Sequence, residues 1–396
     1  MSLPYPDRSA AHRRRRRQAR LARTVVLAVT VLALAAAVAL AAIPSGRAKG
    51  IAGSGPSTVP TGDGGSSPTS GSGTSGSGTS TSATSTTSTS TTTPATTTTA
   101  LPASPYPIGT ASLTVTDGSV SLPTTVSYPA RSAGAGATPL RPSGGWPLIV
   151  FSQGFAVSPA AYSRLLDSWA GAGYVVAAPS YPYTTQGLYE ADIVYHPAEL
   201  RVVVEDLSAL GGKLAGVVDT SRIGLVGQSD GGDVTDAAVN NTAWRIPGIS
   251  AAIILSGAEL TSFGGTYQPD AAVPLLVTQG DADPVNAPAC SQQIYDAQTG
   301  TRYYLDLLGA DHLSPYLDPS PLSAFPGEPQ ARAAAYRQVV RAVTLAFWQR
   351  YLAGRTSSDH GIVAAGTVPG TAQLTTGAAV SVNGYCTGAP PTSTSP

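Results

Sequence analysis

Residues Arg222 to Gly232 read Arg-Ile-Gly-Leu-Val-Gly-Gln-Ser-Asp-Gly-Gly: a short apolar strand, two closely spaced glycines, then a helical pattern from Val234. Only a sharp turn joins a strand to a helix over so few residues. A side chain at Gly227 or Gly231 would collide with its neighbours there, so glycine is a steric requirement at both positions. Ser229 is thereby pushed out above the carboxyl edge of a sheet. The pattern G-x-S-x-G means little by itself in a chain with 43 glycines. Between a strand and a helix it has the context of a nucleophile elbow.

Two further strands end in chemistry-bearing residues. Val273 to Val285 carries an apolar run into the acidic turn Gly280-Asp281-Ala282-Asp283-Pro284, and Tyr303 to His312 runs from a strand into a histidine. Ser229, Asp283 and His312 each lie just past the carboxyl end of a different strand, where side chains from neighbouring strands converge. Of the four histidines, His12 lies in a basic leader, His360 follows the last long helix, and His196 precedes a proline at the opening of a helix from Ala198. The acid has rivals. Asp283 can also be read as a helix cap, with Asp281 or Glu259 as the acid. Glu259 follows the apolar run Ala251 to Leu255, a second position where such an acid can stand.

The elbow, the Gly280–Pro284 turn and the Gly309-Ala310-Asp311-His312 segment together resemble the α/β-hydrolase superfamily. More narrowly they are similar to its dienelactone-hydrolase, platelet-activating-factor-acetylhydrolase and actinomycete-cutinase branch, over about Ile108 to Leu352. The chain order Ser229, Asp283, His312 is that of α/β-hydrolase triads. The resemblance implies Ser229 as nucleophile, His312 as base and Asp283 as orienting acid, with the backbone N–H groups of Phe155 and Asp230 as oxyanion hole. It departs from many relatives in having Gln153-Gly154 where they carry His-Gly, and Asp230 where a small or apolar residue follows the serine.

Such a set works by nucleophilic catalysis. A serine hydroxyl is a poor nucleophile near neutral pH, so an imidazole must take its proton as the new bond forms. A carboxylate on the far ring nitrogen fixes the tautomer and stabilises the imidazolium. Backbone donors then stabilise the oxyanion. The scheme needs no cofactor, and two cysteines about a hundred residues apart without an H-E-x-x-H do not make a zinc site.

Expected fold class is α/β: an α/β-hydrolase fold with a mostly parallel sheet, an antiparallel opening hairpin, helices on both faces and no large cap domain. The hairpin is expected at Leu113 to Val115 and Val120 to Tyr128, around Asp117-Gly118. Apolar strands follow at Leu148 to Phe151, Tyr174 to Ala178, Ile223 to Val226, Ala251 to Leu255, Leu275 to Thr278 and Tyr303 to Leu307. Ala331 to Tyr351 repeats apolar residues at helical spacing, at Tyr336, Val339, Val340, Val343 and Phe347. The catalytic domain is expected over residues 106–354, with 355–396 as a tail.

Residues 1–23 form a basic segment with eight arginines, and Val25 to Ile43 is an uncharged apolar run of 19 residues. About 20 such residues span a bilayer, and the arginines hold the amino end in the cytoplasm. Residues 24–43 therefore read as a transmembrane signal-anchor; a cleaved signal peptide, with a site at Ala39-Leu40-Ala41, is the alternative. Either way the rest is extracytoplasmic, membrane-anchored or secreted. Residues 44–105 are almost wholly Ser, Thr, Gly, Pro and Ala, a composition too poor in apolar surface to fold, and are expected to form a disordered stalk. Beyond residue 50 there are 13 Lys and Arg against 22 Asp and Glu, which makes nucleic acid an improbable partner. A monomer is expected.

Cys290 and Cys386 are the only cysteines. An even count in an exported chain invites pairing, and a bridge would pin the tail beside the acid turn; two separate thiols are the alternative. Tyr181, Tyr183, Tyr189 and Tyr195 crowd one loop, either lining a pocket or packing with their hydroxyls wet. Hydrolysis of a carboxylic ester is the main functional reading. A serine peptidase or amidase of the same fold, or a silent domain that binds envelope polymers, stands beside it.

Overall fold

The computed structural model describes residues 105–118, 120–187, 190–317, 330–354, 359–382 and 384–386. The expected basic segment, membrane anchor and stalk lie outside the described residues, as does Tyr189. Among the described residues no helix is long and apolar enough to cross a membrane.

The described residues open with β1 (Ile108–Asp117) and β2 (Val120–Pro129), the expected hairpin, longer at its open end than its apolar residues suggest. A two-residue strand β3 (Gly134–Ala135) lies on β1. Next come β4 (Trp146–Ser152), a 3₁₀ turn at Pro159–Tyr162 and helix α1 (Ser163–Ala170). After β5 (Val175–Pro179) a single helical turn at Pro182–Thr185 leads towards α2 (His196–Ser208). Then follow β6 (Val218–Gln228), α3 (Asp230–Asn240), β7 (Ile249–Leu255), β8 (Leu275–Gly280) and α4 (Pro288–Ala297). The chain continues through β9 (Arg302–Leu307), α5 (Gln330–Tyr351), α6 (Asp359–Gly366) and β10 (Ala372–Thr376).

The ten strands of the described residues form one sheet in the order β10-β9-β8-β7-β6-β4-β5-β2-β1-β3. The six strands β4 to β9 pair in parallel; β2 joins β5 and β10 joins β9 antiparallel. The alternation of a strand sorts its side chains to two faces. Leu148 and Val150 of β4 join the core beneath α2, α3 and α4, with Leu225, Ile254, Val277 and Tyr304. Ile149 and Phe151 face the opposite way, with Val226, Ile253, Leu255 and Leu305, against α1, α5 and α6. Burial on both faces is why these strands read as continuous apolar runs rather than alternating ones.

The tail does not stand apart from the domain. Beyond the expected boundary at residue 354, β10 pairs with β9 residue by residue from Ala372↔Leu307 to Thr376↔Tyr303. Five residues of mixed polarity at a sheet edge carry no strong strand signal, and pairing with β9 decides their conformation.

The site is placed by topology. The chain leaves β4 for β5 on one side, then crosses back to β6 on the other, so the carboxyl ends of β4 and β6 are neighbours, with Ser152 opposite Gly227. A reversal of strand order opens a crevice at that edge of an α/β sheet.

Candidate active site

Ser229 stands between β6 and α3 at φ 55° and ψ −125°, sparsely populated for a residue with a side chain. Such strain costs on the order of 1–3 kcal/mol and persists only where the surroundings over-determine it. Here Ser229 N–H donates to Leu255 O at 2.9 Å, and Asp233 N–H donates to Ser229 O at 2.9 Å. The flanking glycines are obligatory: a Cβ on Gly227 would lie 1.9 Å from Gly231 O, and one on Gly231 would lie 2.0 Å from Ser152 O. The second contact presses the turn against the end of β4.

The three candidate side chains come together. His312 Nε2 lies 2.7 Å from Ser229 Oγ, and His312 Nδ1 lies 2.7 Å from Asp283 Oδ2. All three residues are buried. Asp283 is held rigidly: its Oδ1 accepts the N–H groups of Val285 at 2.8 Å and Asn286 at 3.0 Å, and its Oδ2 also accepts Gln279 Nε2 at 3.0 Å. Gly280 brings the acid turn and the histidine turn together, since a Cβ there would meet Ala310 O at 2.3 Å. Asp311 Oδ1 accepts the N–H groups of Leu313 and Ser314, shaping the chain that carries His312.

The rival acids are engaged elsewhere. Asp281 is exposed and accepts Gly309 N–H, linking the two turns from outside. Glu259 accepts Gln293 Nε2 at 2.7 Å and belongs to a buried acidic group with Asp236 and Asp233 of α3. Burial pushes the Asp233 carboxyl well above its ordinary range, and the charge of Asp230 adds to that. Asp236 is driven up by burial and then by Glu259, and Glu259 by burial. Among the described residues no three metal-ligating side chains are placed to hold a metal ion.

The two residues whose backbone groups are expected at an oxyanion hole, Asp230 and Phe155, stand in segments next to Ser229. Asp230 is the first residue of α3 and directly follows Ser229. Phe155 follows Gly154, whose absent Cβ would sit 3.2 Å from Ser229 Cβ. Gln153, which stands where many relatives carry histidine, is buried and turned to structure. In the orientation that satisfies both ends of its amide, it donates to Pro179 O at 2.8 Å and accepts from Thr185 Oγ1 at 2.8 Å and Tyr181 N–H at 3.1 Å. Tyr181 is buried, stacks on His196 at 4.0 Å between ring centres and bonds Ser152 Oγ at 3.1 Å, so it packs rather than lining an open pocket. Tyr183 and Tyr195 are half-buried.

Sequence reasoning missed several supporting residues. Tyr316 Oη lies 2.9 Å from both Ser256 Oγ and Thr278 Oγ1, and Asn286 Nδ2 donates to Ser256 O at 2.7 Å. Gln279 was visible only as a polar residue at the end of an apolar strand.

Cys290, on α4, and Cys386 are joined in a disulfide across 96 residues of chain. The intervening tail runs back along α4, where Tyr295 Oη donates to Ala378 O at 2.8 Å and Gln292 Nε2 donates to Val380 O.

The model of the family described as platelet-activating factor acetylhydrolase, isoform II, matches residues 88–182, a span that holds the Phe155 segment and ends before the elbow. No curated protein matches the chain by sequence. Among solved structures the chain is similar to a ferulic acid esterase from Streptomyces cinnamoneus at 23% identity and a TM-score of 0.51, over 70% of this chain and 98% of that one. With that likeness beside its sheet order and its strand-elbow-helix at Ser229, the chain has the α/β-hydrolase fold.

Proposed function

We propose that the chain is an exported serine hydrolase that cleaves carboxylic esters through an acyl-enzyme intermediate. One observation carries the reading: an unbroken line from Asp283 through His312 to Ser229, with both contacts at 2.7 Å and the serine raised on a strained turn. Nucleophile, base and orienting acid at hydrogen-bonding distance are the arrangement acyl transfer requires. The likeness to an acetylhydrolase family and to a ferulic acid esterase supports an ester rather than an amide as substrate.

Each group has one task. Ser229 Oγ attacks the ester carbonyl carbon while its proton passes to His312 Nε2; Asp283 accepts Nδ1–H and stabilises the imidazolium. The carbonyl oxygen becomes an oxyanion and takes the N–H groups of Phe155 and Asp230. As the tetrahedral intermediate collapses, the C–O bond to the alcohol breaks and the alkoxide takes the proton back from His312. Water then attacks the acyl-serine by the same route and releases the acid. Among the described residues no separate domain is inserted between the strands that carry Ser229, Asp283 and His312, and exposed or bulky esters suit such a site. Export rests on the arginine-rich leader and its apolar run, and a disulfide is a bond that persists in oxidising compartments.

Mass spectrometry after treatment with a fluorophosphonate, together with hydrolysis of p-nitrophenyl esters and peptide anilides, tests this. Expected are one phosphonyl adduct on Ser229, turnover of the esters and no turnover of the anilides. An unlabelled Ser229 would overturn the hydrolase reading, and faster cleavage of anilides would make the chain an amidase.

A further inference from the structure

A buried hydrogen-bond chain crosses the three turns of the site. Gly154 N–H donates to Tyr162 Oη at 3.2 Å, Tyr162 O–H donates to Gln228 Oε1 at 2.7 Å, and Gln228 Nε2 donates to His312 O at 3.1 Å and lies 3.4 Å from His312 Nε2. Tyr162 and Gln228 are fully buried. We propose that Tyr162 and Gln228 are positioning residues that fix the oxyanion donor at Phe155, the nucleophile at Ser229 and the base at His312 in one frame. The proposal rests on the reading of Ser229 and Phe155 given above.

The geometry leaves each member little freedom. The Tyr162 ring packs on Phe151 of β4 with ring centres 4.7 Å apart, so its hydroxyl is held from the strand that launches the Phe155 segment. Gln228 is the residue between Gly227 and Ser229, so its side chain starts on the elbow itself. It also fills the space above Gly154, where a Cβ would lie 2.7 Å from Gln228 Oε1. Phe155 N–H is the next amide after the one Tyr162 holds. Burial raises the Tyr162 hydroxyl above its ordinary range, which keeps it protonated as a donor. A donor aimed at a developing oxyanion acts only if it is in place before the charge appears, so fixing the Phe155 segment to the elbow bears on the transition state more than on the substrate.

The test compares wild type with Tyr162→Phe, Gln228→Met and Gln228→Glu on p-nitrophenyl acetate, with phenylboronic acid as a mimic of the tetrahedral intermediate. Tyr162→Phe and Gln228→Met are each expected to lower kcat about 10- to 100-fold and to weaken boronate inhibition in step, with KM within about twofold of wild type. Gln228→Glu keeps the acceptor for Tyr162 and is expected to recover much of the boronate affinity. Combining Tyr162→Phe with Gln228→Met should cost little more than the worse single change, because both cut one chain. Losses confined to KM, unchanged boronate inhibition, or a kcat near wild type would overturn the proposal. If Tyr162→Phe does not fold, the contrast between Gln228→Met and Gln228→Glu decides. A wild type inert to both ester and boronate would instead remove the hydrolase reading, a result distinct from an active wild type with indifferent variants.

Discussion

Gln279 donates to the same Asp283 oxygen that meets His312 Nδ1, at 3.0 Å against 2.7 Å. The acid therefore faces His312 with its orientation already set by Gln279, on the strand that leads into its turn. Asp283→Ala is expected to lower kcat about 10⁴-fold, comparable to loss of an orienting acid in a serine triad, while Glu259→Gln stays within about threefold of wild type. Steady-state kinetics of the two variants check this. A silent Asp283→Ala beside an inactive Glu259→Gln would reverse the assignment.

The elbow admits no added methyl group. Gly227→Ala would place a Cβ 1.9 Å from Gly231 O, a backbone atom that cannot swing aside. Expected is a failure to fold, or a loss of several kcal/mol with activity abolished. Thermal denaturation and soluble yield measure it. Gly361→Ala meets no neighbouring atom and is the matched control, with stability within about 0.5 kcal/mol of wild type.

The buried acids of α3 set a pH dependence of stability. Asp236 and Glu259 hold their protons to higher pH in the folded chain than in the unfolded one, because burial disfavours their anions. The folded state thus binds more protons through this range, and linkage makes stability fall as pH rises from the ordinary carboxylate range through the raised one. Asp306, pushed up to about 6 by burial and then by Asp281, acts in the same direction. Asp236→Asn removes one such anion, and Asn240 retains an oxygen to bond. Its melting temperature is expected to gain on wild type as pH goes from 5 to 9; a gap that stays constant or narrows would refute the buried-charge account.

Closing a loop of 96 residues removes conformational freedom from the unfolded chain, by about 4–5 kcal/mol on the chain-entropy model. Reduction, or Cys290→Ser, is expected to lower the melting temperature by roughly 10 °C. Ester turnover at 25 °C should persist, since neither cysteine touches Ser229 or His312. A melting temperature indifferent to reductant would show that the bridge adds no stability.

The strands buried on both faces were legible because their apolar runs are unbroken, and the elbow because steric demand at Gly227 and Gly231 leaves a local signature. Strand ends put Ser229 and His312 near one edge but leave Asp281, Asp283 and Glu259 all open as the acid, and the choice of Asp283 comes from the resemblance. A count of two cysteines suggests the Cys290–Cys386 pair beside the alternative of two separate thiols. Three kinds of feature were hidden. β10 is a five-residue stretch of mixed polarity whose strand character comes from its pairing with β9. Asp233 and Asp236 look like a solvated helix face, and only the packing of α3 against the segment after β7 buries them. Tyr162 lies 66 residues from Gln228 in the chain, so no local pattern could announce their bond.

The antiparallel β10 also decides how the molecule meets its neighbours. By occupying the outer side of β9, it takes up a row of N–H and C=O groups that would otherwise stand open as a template for another chain. A protein cut after Gly354 would keep Ser229, Asp283 and His312 yet present Tyr303, Leu305 and Leu307 on a bare edge. The same cut removes Cys386 and its bridge to Cys290, so such a chain is expected both to lose stability and to self-associate through the bared edge.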